Sequence, residues 1–259
     1  MIITTGDRPL TEVAERAERL AKQLGVPYVP RGNQSMSKLL TFCGGEEALV
    51  VLLHSVRLLR PGRPQLQFHP SMGFVRAKRI LKGECDPLLE AAGMVPGDSV
   101  LDCTAGLGAD ALLFALHGGE HSRVTALESS LPLYALLAEG MAHYDSGISE
   151  VDAALRRINI VHSDHMDYLR KLPDHSVDIV YFDPMFREPL EDSSGISPLR
   201  PYANSDSLSP ESVTEAVRAA RKAVVLKEKR GSGEFSRLGF AEQLRPGTKT
   251  SYGVITIDQ

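Results

Sequence analysis

Cysteine is scarce in this chain: of 259 residues only Cys43, Cys85 and Cys103 carry a thiol, far apart and with no C-x-x-C pair. That spacing excludes a disulfide framework and a zinc knuckle, and each cysteine reads as an ordinary small hydrophobe. Long apolar runs are missing too. The longest uninterrupted aliphatic stretch, Ala48 to Leu53, falls far short of the roughly 20 residues that span a bilayer. Met1 to Leu10 contains Asp7 and lacks the layout of a signal peptide. A cytoplasmic protein with no membrane and no metal partner is therefore expected. No coiled-coil heptads stand out, so no oligomeric state can be read.

What is present suffices for a sizeable folded core. With 42% hydrophobic residues the chain can bury one large core, or a main domain with a smaller appendage. The net charge of −4 is unevenly spread: residues 1–97 carry 13 Lys and Arg against 9 Asp and Glu, and residues 98–259 carry 16 against 24. Arg57, Arg60, Arg63, Arg76, Lys78, Arg79 and Lys82 follow one another with no acidic residue between them. Such a stretch can track a phosphate backbone, or it can be a solvated helix and hairpin face.

Ile2–Thr5 reads as a short strand, and Leu10, Val13, Ala17, Leu20 and Leu24 fall at helical spacing. Ala48 to Leu58 reads as an extended run, with the turn Arg60–Arg63 leading into a return strand at Gln65–Phe68. After Asp86, short apolar runs alternate with amphipathic segments. Strands are expected at Ser99–Cys103, Arg123–Leu127, Ile158–His162, Val177–Phe182 and Ala223–Lys227. Helices are expected at Ala109–Leu116, Leu131–Tyr144, Asp164–Lys171 and Pro210–Ala220. This alternation predicts an α/β fold with a doubly wound, mostly parallel sheet, closed by Tyr252–Ile257 as an antiparallel edge strand. The Ser-, Pro- and Asp-rich segment Arg187–Ser209 has the length and position of a substrate loop or lid.

Two motifs carry chemistry. In Asp102-Cys103-Thr104-Ala105-Gly106-Leu107-Gly108-Ala109-Asp110 a strand runs through a glycine turn into a helix. Glycines let backbone amides approach a ligand, and the helix N-terminus favours negative charge. Gly106 and Gly108 also satisfy a dinucleotide fingerprint, so NAD competes with S-adenosylmethionine. Asp102 can organise a methionine amino group, and Glu128, closing the second strand, can accept from ribose hydroxyls of either cofactor. Asp164 and His165 follow the third strand, where they would flank an adenine; helix capping and surface exposure are the plainer readings.

The second motif is Asp183-Pro184-Met185-Phe186. It resembles the Asp/Asn-Pro-Pro-aromatic loop with which one class of methyltransferases grips an amino group. The nitrogen of such an amine is a poor nucleophile because its lone pair is delocalised into the ring. Asp183 and the Pro184 carbonyl can each accept one N–H and turn that lone pair toward a methyl donor, while Phe186 stacks on the base, a contact worth about 1–3 kcal/mol. A strand terminator is the alternative if the motif stood alone.

Together these residues make the chain resemble the RsmJ-type family, bacterial methyltransferases of guanine N2 in small-subunit ribosomal RNA. The resemblance covers roughly Phe68 to the C-terminus and rests on Asp102–Asp110, Leu127-Glu128 and Asp183-Pro184-Met185-Phe186, where the family has the same Met. It implies a Rossmann-like methyltransferase fold, S-adenosylmethionine as cofactor, and RNA as substrate. By the family's pattern, cofactor contacts fall on Ala109, Asp110, Glu128, Ser129, Asp164, His165 and Asp183; the motif itself adds Asp102, Thr104, Gly106 and Gly108. The family's glycine-rich basic segment is replaced here by Phe68–Arg79, which keeps the charge and loses most glycines. His69, Arg76 and Arg79 are the candidate substrate contacts.

The expectation is thus a small N-terminal α/β unit, residues 1–84, and a cofactor-binding methyltransferase domain, residues 85–259, with Asp183, Pro184 and Phe186 at the reaction centre. The rivals are a methyltransferase for DNA adenine, a protein amide or a small molecule, an NAD-dependent oxidoreductase, and a noncatalytic RNA-binding assembly factor.

Overall fold

Alternating β-branched and aliphatic residues build two sheets in the computed structural model, which describes residues 1–42, 44, 47–184, 207–244 and 247–258. The N-terminal unit comprises β1 (Ile2–Thr5), α1 (Thr11–Leu24), α2 (Met36–Phe42), β2 (Ala48–Val51), β3 (Val56–Leu59) and β4 (Leu66–Gln67), followed by α3 (Ser71–Leu81) and α4 (Pro87–Ala91). Its sheet runs β1-β2-β3-β4, parallel at β1–β2 and antiparallel thereafter. The expected single run from Ala48 to Leu58 is instead a hairpin. The Leu52 amide donates to the Ser55 carbonyl at 2.9 Å, which lets β3 fold back and bury Val56 and Leu58 beside Leu49 and Val51.

The second sheet carries β5 (Ser99–Asp102), β6 (Arg123–Glu128), β7 (Asn159–His162), β8 (Val177–Phe182), β9 (Ala220–Lys229), β10 (Ala241–Gln243) and β11 (Thr250–Thr256). Helices α5 (Ala109–Gly118), α6 (Leu131–His143), α7 (Ser149–Arg157), α8 (His165–Leu169), α9 (Pro210–Ala219) and α10 (Gly233–Leu238) connect them. The order is β10-β11-β9-β8-β5-β6-β7, parallel except for β11, which runs antiparallel to both neighbours. β11 is therefore not the edge strand expected from its sequence. The three-residue β10 pairs with its outer side, register Ala241↔Val254, and a strand that short leaves almost no periodic signal.

Successive residues of the central strands point to opposite faces. Val100, Ile179, Tyr181 and Val225 join one apolar cluster with Leu112 of α5, Leu136 of α6 and Leu155 of α7. Leu101, Val180, Phe182 and Leu226 join another with Leu169, Val213 and Phe235 of α8, α9 and α10. The first cluster also contains Ile3, Val13, Leu49, Phe68 and Ala77, so the core runs without a break from the N-terminal unit into the main sheet. The contact is close at two glycines. A Cβ on Gly73 of α3 would stand 2.5 Å from the Ala109 carbonyl oxygen at the start of α5, and one on Gly140 of α6 would stand 2.1 Å from the Phe68 ring.

Cys103 is buried as a small hydrophobe, but Cys85 is exposed in the link between α3 and α4; Cys43 lies outside the described residues. The expected loop Arg187–Ser209 falls outside them as far as residue 206. Ser209 accepts a hydrogen bond from the Ser212 amide at 3.0 Å and caps α9. No helix among the described residues is long and apolar enough to cross a membrane.

Candidate active site

Ligands of open α/β sheets bind beyond the carboxyl ends of the strands, and there the sequence-predicted residues gather. β5 ends in Asp102 and turns through Thr104, Gly106 (φ 54°) and Gly108 (φ 71°), both left-handed, before α5 begins at Ala109. Gly108 is required twice over: by its backbone angle and because a Cβ there would stand 1.9 Å from the Met141 methyl of α6. The turn is pinned to its neighbours by the Cys103 amide donating to Tyr181 at 2.9 Å and the Ala105 amide donating to Leu127 at 3.0 Å.

Around this turn stand buried carboxyls with opposite tendencies. Asp102 is fully enclosed, and burial pushes its carboxyl up to about 8 although the Thr104 amide donates to it at 3.0 Å. Glu128, at the end of β6, is pushed up to about 7, again by burial, against the backbone amides of Ser130, Gly106 and Ser129 that face it; the Ser130 hydrogen bond is 2.8 Å. Ser129 itself is exposed. Asp164 caps α8 by accepting from Met166 at 2.8 Å, and its side chain remains 41% exposed. His165 lies edge-on to Phe182, with ring centroids 5.8 Å apart, and its Nε2 is 3.1 Å from the Ser212 hydroxyl; burial lowers its pKa.

Asp183 follows β8 directly. The register pairs Phe182 with Leu226, which brings Asp183 alongside Lys227. The Asp183 amide donates to the Thr104 hydroxyl at 2.6 Å. Lys227 Nζ donates to Asp183 Oδ2 at 2.7 Å and to Asp110 Oδ2 at 2.9 Å. Asp110 also accepts from Tyr181 at 2.8 Å and from Arg76 at 2.6 Å. Arg76 in turn holds Asp86 through two contacts of 2.9 and 2.7 Å. Burial works against the charge on Asp110, yet Lys227 and Arg76 hold its carboxyl well below the usual range. Asp183, burdened by burial and by the Asp110 charge, is raised despite Lys227. Of the two carboxylates on Lys227, Asp110 therefore ionises first.

The expected substrate residues separate. Arg76 is directed inward, and its guanidinium is taken up by Asp86, Asp110 and, at 3.4 Å, Tyr252. It is thus an ion-pair partner of the buried network rather than an open cation. Arg79 is exposed on α3, with Met72, Val75, Lys78 and Lys82 on the same outer face. His69 is exposed, accepts from the Ser71 amide at 2.8 Å, and meets Phe74 and Tyr144 edge-on. Pro184 is half-buried; Met185 and Phe186 lie outside the described residues. Among the described residues no cluster could hold a metal ion. Sequence reasoning passed over Lys227 and Tyr181. The available signal was parity: Ala223, Val225 and Lys227 share one face of a buried strand, where a lysine needs a carboxylate partner.

A parallel sheet with one reversed strand inserted beside its last, and a glycine turn opposite an acidic strand end, define a methyltransferase of Rossmann-like fold. Residues 53–235 match the family described as "Putative SAM-dependent methyltransferase". The chain is 41% identical over 254 residues to the uncharacterized protein YpiP of Bacillus subtilis, covering 98% of each. It is 30% identical to the ribosomal RNA small subunit methyltransferase J of Thioalkalivibrio sulfidiphilus, covering 94% of this chain and 93% of that one. A solved SAM-dependent methyltransferase of Neisseria gonorrhoeae superposes with a TM-score of 0.64 over 99% of this chain and 96% of its own, at 20% identity, and shows the same fold. The chain belongs to this family of S-adenosylmethionine-dependent methyltransferases, the one its two motifs resemble. An NAD-dependent oxidoreductase is thereby set aside.

Proposed function

We propose that this enzyme methylates an exocyclic amine of an RNA base, guanine N2 of small-subunit ribosomal RNA, and works in the cytoplasm. The observation that carries the reading is the attachment of Asp183 to the cofactor turn through Thr104. The amine-gripping carboxylate is thereby fixed relative to the glycine loop. Support for the acceptor comes from the relatives named ribosomal RNA small subunit methyltransferase J.

The residues present fit S-adenosylmethionine. The turn takes left-handed backbone at Gly106 and Gly108 ahead of the α5 N-terminus, and two buried acidic groups suit an ammonium and a pair of hydroxyls. Asp102 and Thr104 would hold the methionine end, Glu128 and Ser129 the ribose, and Asp164 and His165 the adenine, with Ala109 and Asp110 opening the helix beneath. When bound, the cofactor supplies an electrophilic methyl group. Everything else falls to the chain. Asp183 and the Pro184 carbonyl accept the two N–H groups of the amine, so that its lone pair leaves the ring plane; Phe186 stacks on the base. Positioning of this kind, beside fixed buried charges, accounts for most of the barrier reduction. The target base must be unpaired or flipped out to enter. Residues 1–84 would serve as the substrate unit and residues 85–259 as the methyltransferase domain, with His69 and Arg79 beside the RNA.

The test is transfer of labelled methyl from S-adenosylmethionine to small-subunit RNA, followed by digestion and identification of the modified nucleoside. N2-methylguanosine is expected, absent with Asp183→Ala. Label in DNA, protein or a small molecule instead would move the acceptor, and undiminished methylation by Asp183→Ala would overturn the mechanism.

A further inference from the structure

Lys227 of β9 reaches inward with its ammonium to two carboxylates, and it sits one register step past the last paired residue of β8. We infer that Lys227 is a positioning residue for methyl transfer: its ammonium fixes Oδ2 of Asp183 and leaves Oδ1 to receive the acceptor amine. This rests on the reading of Asp183 given above and deepens it.

Three observations support it. First, among the described residues no side chain donates to Asp183 Oδ1, whereas Oδ2 is held at 2.7 Å by Lys227. One contact thus settles the orientation of a carboxylate that could otherwise rotate. Second, Lys227 is itself clamped from the other side by Asp110, which Arg76 and Tyr181 hold in place. The ammonium is therefore built in from α3, α5 and β8 together. Third, the charges that face Asp183 call for a cation. Asp110 of α5 and Glu228 of β9 oppose its ionisation, Asp102 of β5 and Tyr181 of β8 are buried beside it, and Tyr252 of β11 faces Lys227. Among the described residues, Lys227 and, more weakly, Arg76 favour the carboxylate. A protonated Asp183 is a weaker acceptor than a carboxylate and carries a donor of its own, so it would grip the amine poorly and the lysine keeps the group in its working form.

Lys227→Met removes the charge and keeps most of the side-chain volume. Methyl transfer is expected to fall roughly tenfold or more at pH 7, with the dissociation constant for S-adenosylmethionine changed less than about threefold. The acid limb of the rate profile is expected to move up by at least about one on the pH scale, the effect of withdrawing an adjacent opposite charge. Lys227→Arg should restore part of the rate and the original limb. A folded Lys227→Met enzyme with unchanged rate and unchanged limb overturns the inference.

If Lys227→Met does not fold, because Asp110 is left buried beside one cation fewer, the pair Lys227→Met/Asp110→Asn is compared with Asp110→Asn alone. A lower rate and a raised limb in the pair uphold the assignment, and identical behaviour refutes it. Asp183→Ala, assayed beside them, separates the two levels of argument. Loss in Asp183→Ala with none in the lysine variants sinks only the role of Lys227, whereas activity retained by Asp183→Ala sinks the reading beneath it.

Discussion

The amide of Asp183 donates to the hydroxyl of Thr104 at 2.6 Å, so the strand end on which the reaction is proposed and the turn proposed to face the cofactor share one hydrogen bond across β5 and β8. Thr104→Val keeps the shape and removes the acceptor. A buried N–H without a partner costs about 1–3 kcal/mol, equivalent to a loss of roughly tenfold to a hundredfold if it falls on the transition state. The expected outcome is a reduced rate constant for methyl transfer at saturating cofactor, beyond any weakening of cofactor binding through the lost hydroxyl, read by single-turnover kinetics beside calorimetry.

Asp110 joins two cations, each of which has one other carboxylate partner, Asp86 for Arg76 and Asp183 for Lys227. Asp110→Ala leaves Arg76 with Asp86 and Lys227 with Asp183, and places two positive charges around an empty volume. Breaking a buried ion pair from one side costs about 3–5 kcal/mol, and a drop of that size in unfolding free energy is expected from urea titration. Asp110→Asn, which keeps the volume and one acceptor, should cost less. A midpoint unchanged in both would show that the network contributes nothing to stability.

Cofactor binding should release protons near neutral pH. Burial holds Asp102 up at about 8 and Glu128 at about 7, so at pH 7 Asp102 is mostly uncharged in the free enzyme. An ammonium brought beside it lowers its pKa and expels the proton. Affinity for S-adenosylmethionine is then expected to rise with pH up to about 8, the value Asp102 has in the free enzyme. Calorimetry in two buffers of different ionisation enthalpy should give different binding heats; equal heats would show that neither carboxyl titrates on binding. The free enzyme obeys the matching sign. A carboxyl whose folded pKa lies above its unfolded value adds stability at low pH that is lost as pH rises toward the folded value, here through about 8 for Asp102.

The outer face of α3 supplies an electrostatic prediction. Arg79 and Lys82 are exposed, and replacing both with Ala should weaken RNA binding while lowering the slope of log Kd against log salt by about 0.7 for each phosphate that is no longer neutralised. The cofactor affinity should not change. An unaltered slope would place the RNA elsewhere.

The strands of the main sheet were legible because each is a short apolar run with its own turn signals. β8 matches its expected bounds, and β5, β6 and β9 differ only at their ends. The glycine turn and Asp183 were legible for a similar reason, since their chemistry lies within a few consecutive residues. Helix α7 was missed: its apolar face is only Val151, Ala154 and Leu155, too narrow to stand out beside the longer α6. The buried network was illegible for another reason. Arg76 and Asp110 are 34 positions apart, and Asp110 and Lys227 are 117 apart. Nothing local distinguishes Arg76 from the exposed Arg79 three residues later; only the side of α3 that meets α5 does.

Gly73 gives that meeting its consequence for how such an enzyme can change. With no side chain between α3 and the first residue of α5, the inner side of α3 cannot vary without shifting the turn that begins α5, and a larger residue there would be felt by the cofactor before it was felt by any acceptor. The outer side has no such tether. Divergence toward a new acceptor has only one free surface on this helix, and descendants that differ in what they methylate should still carry the same small residue at position 73.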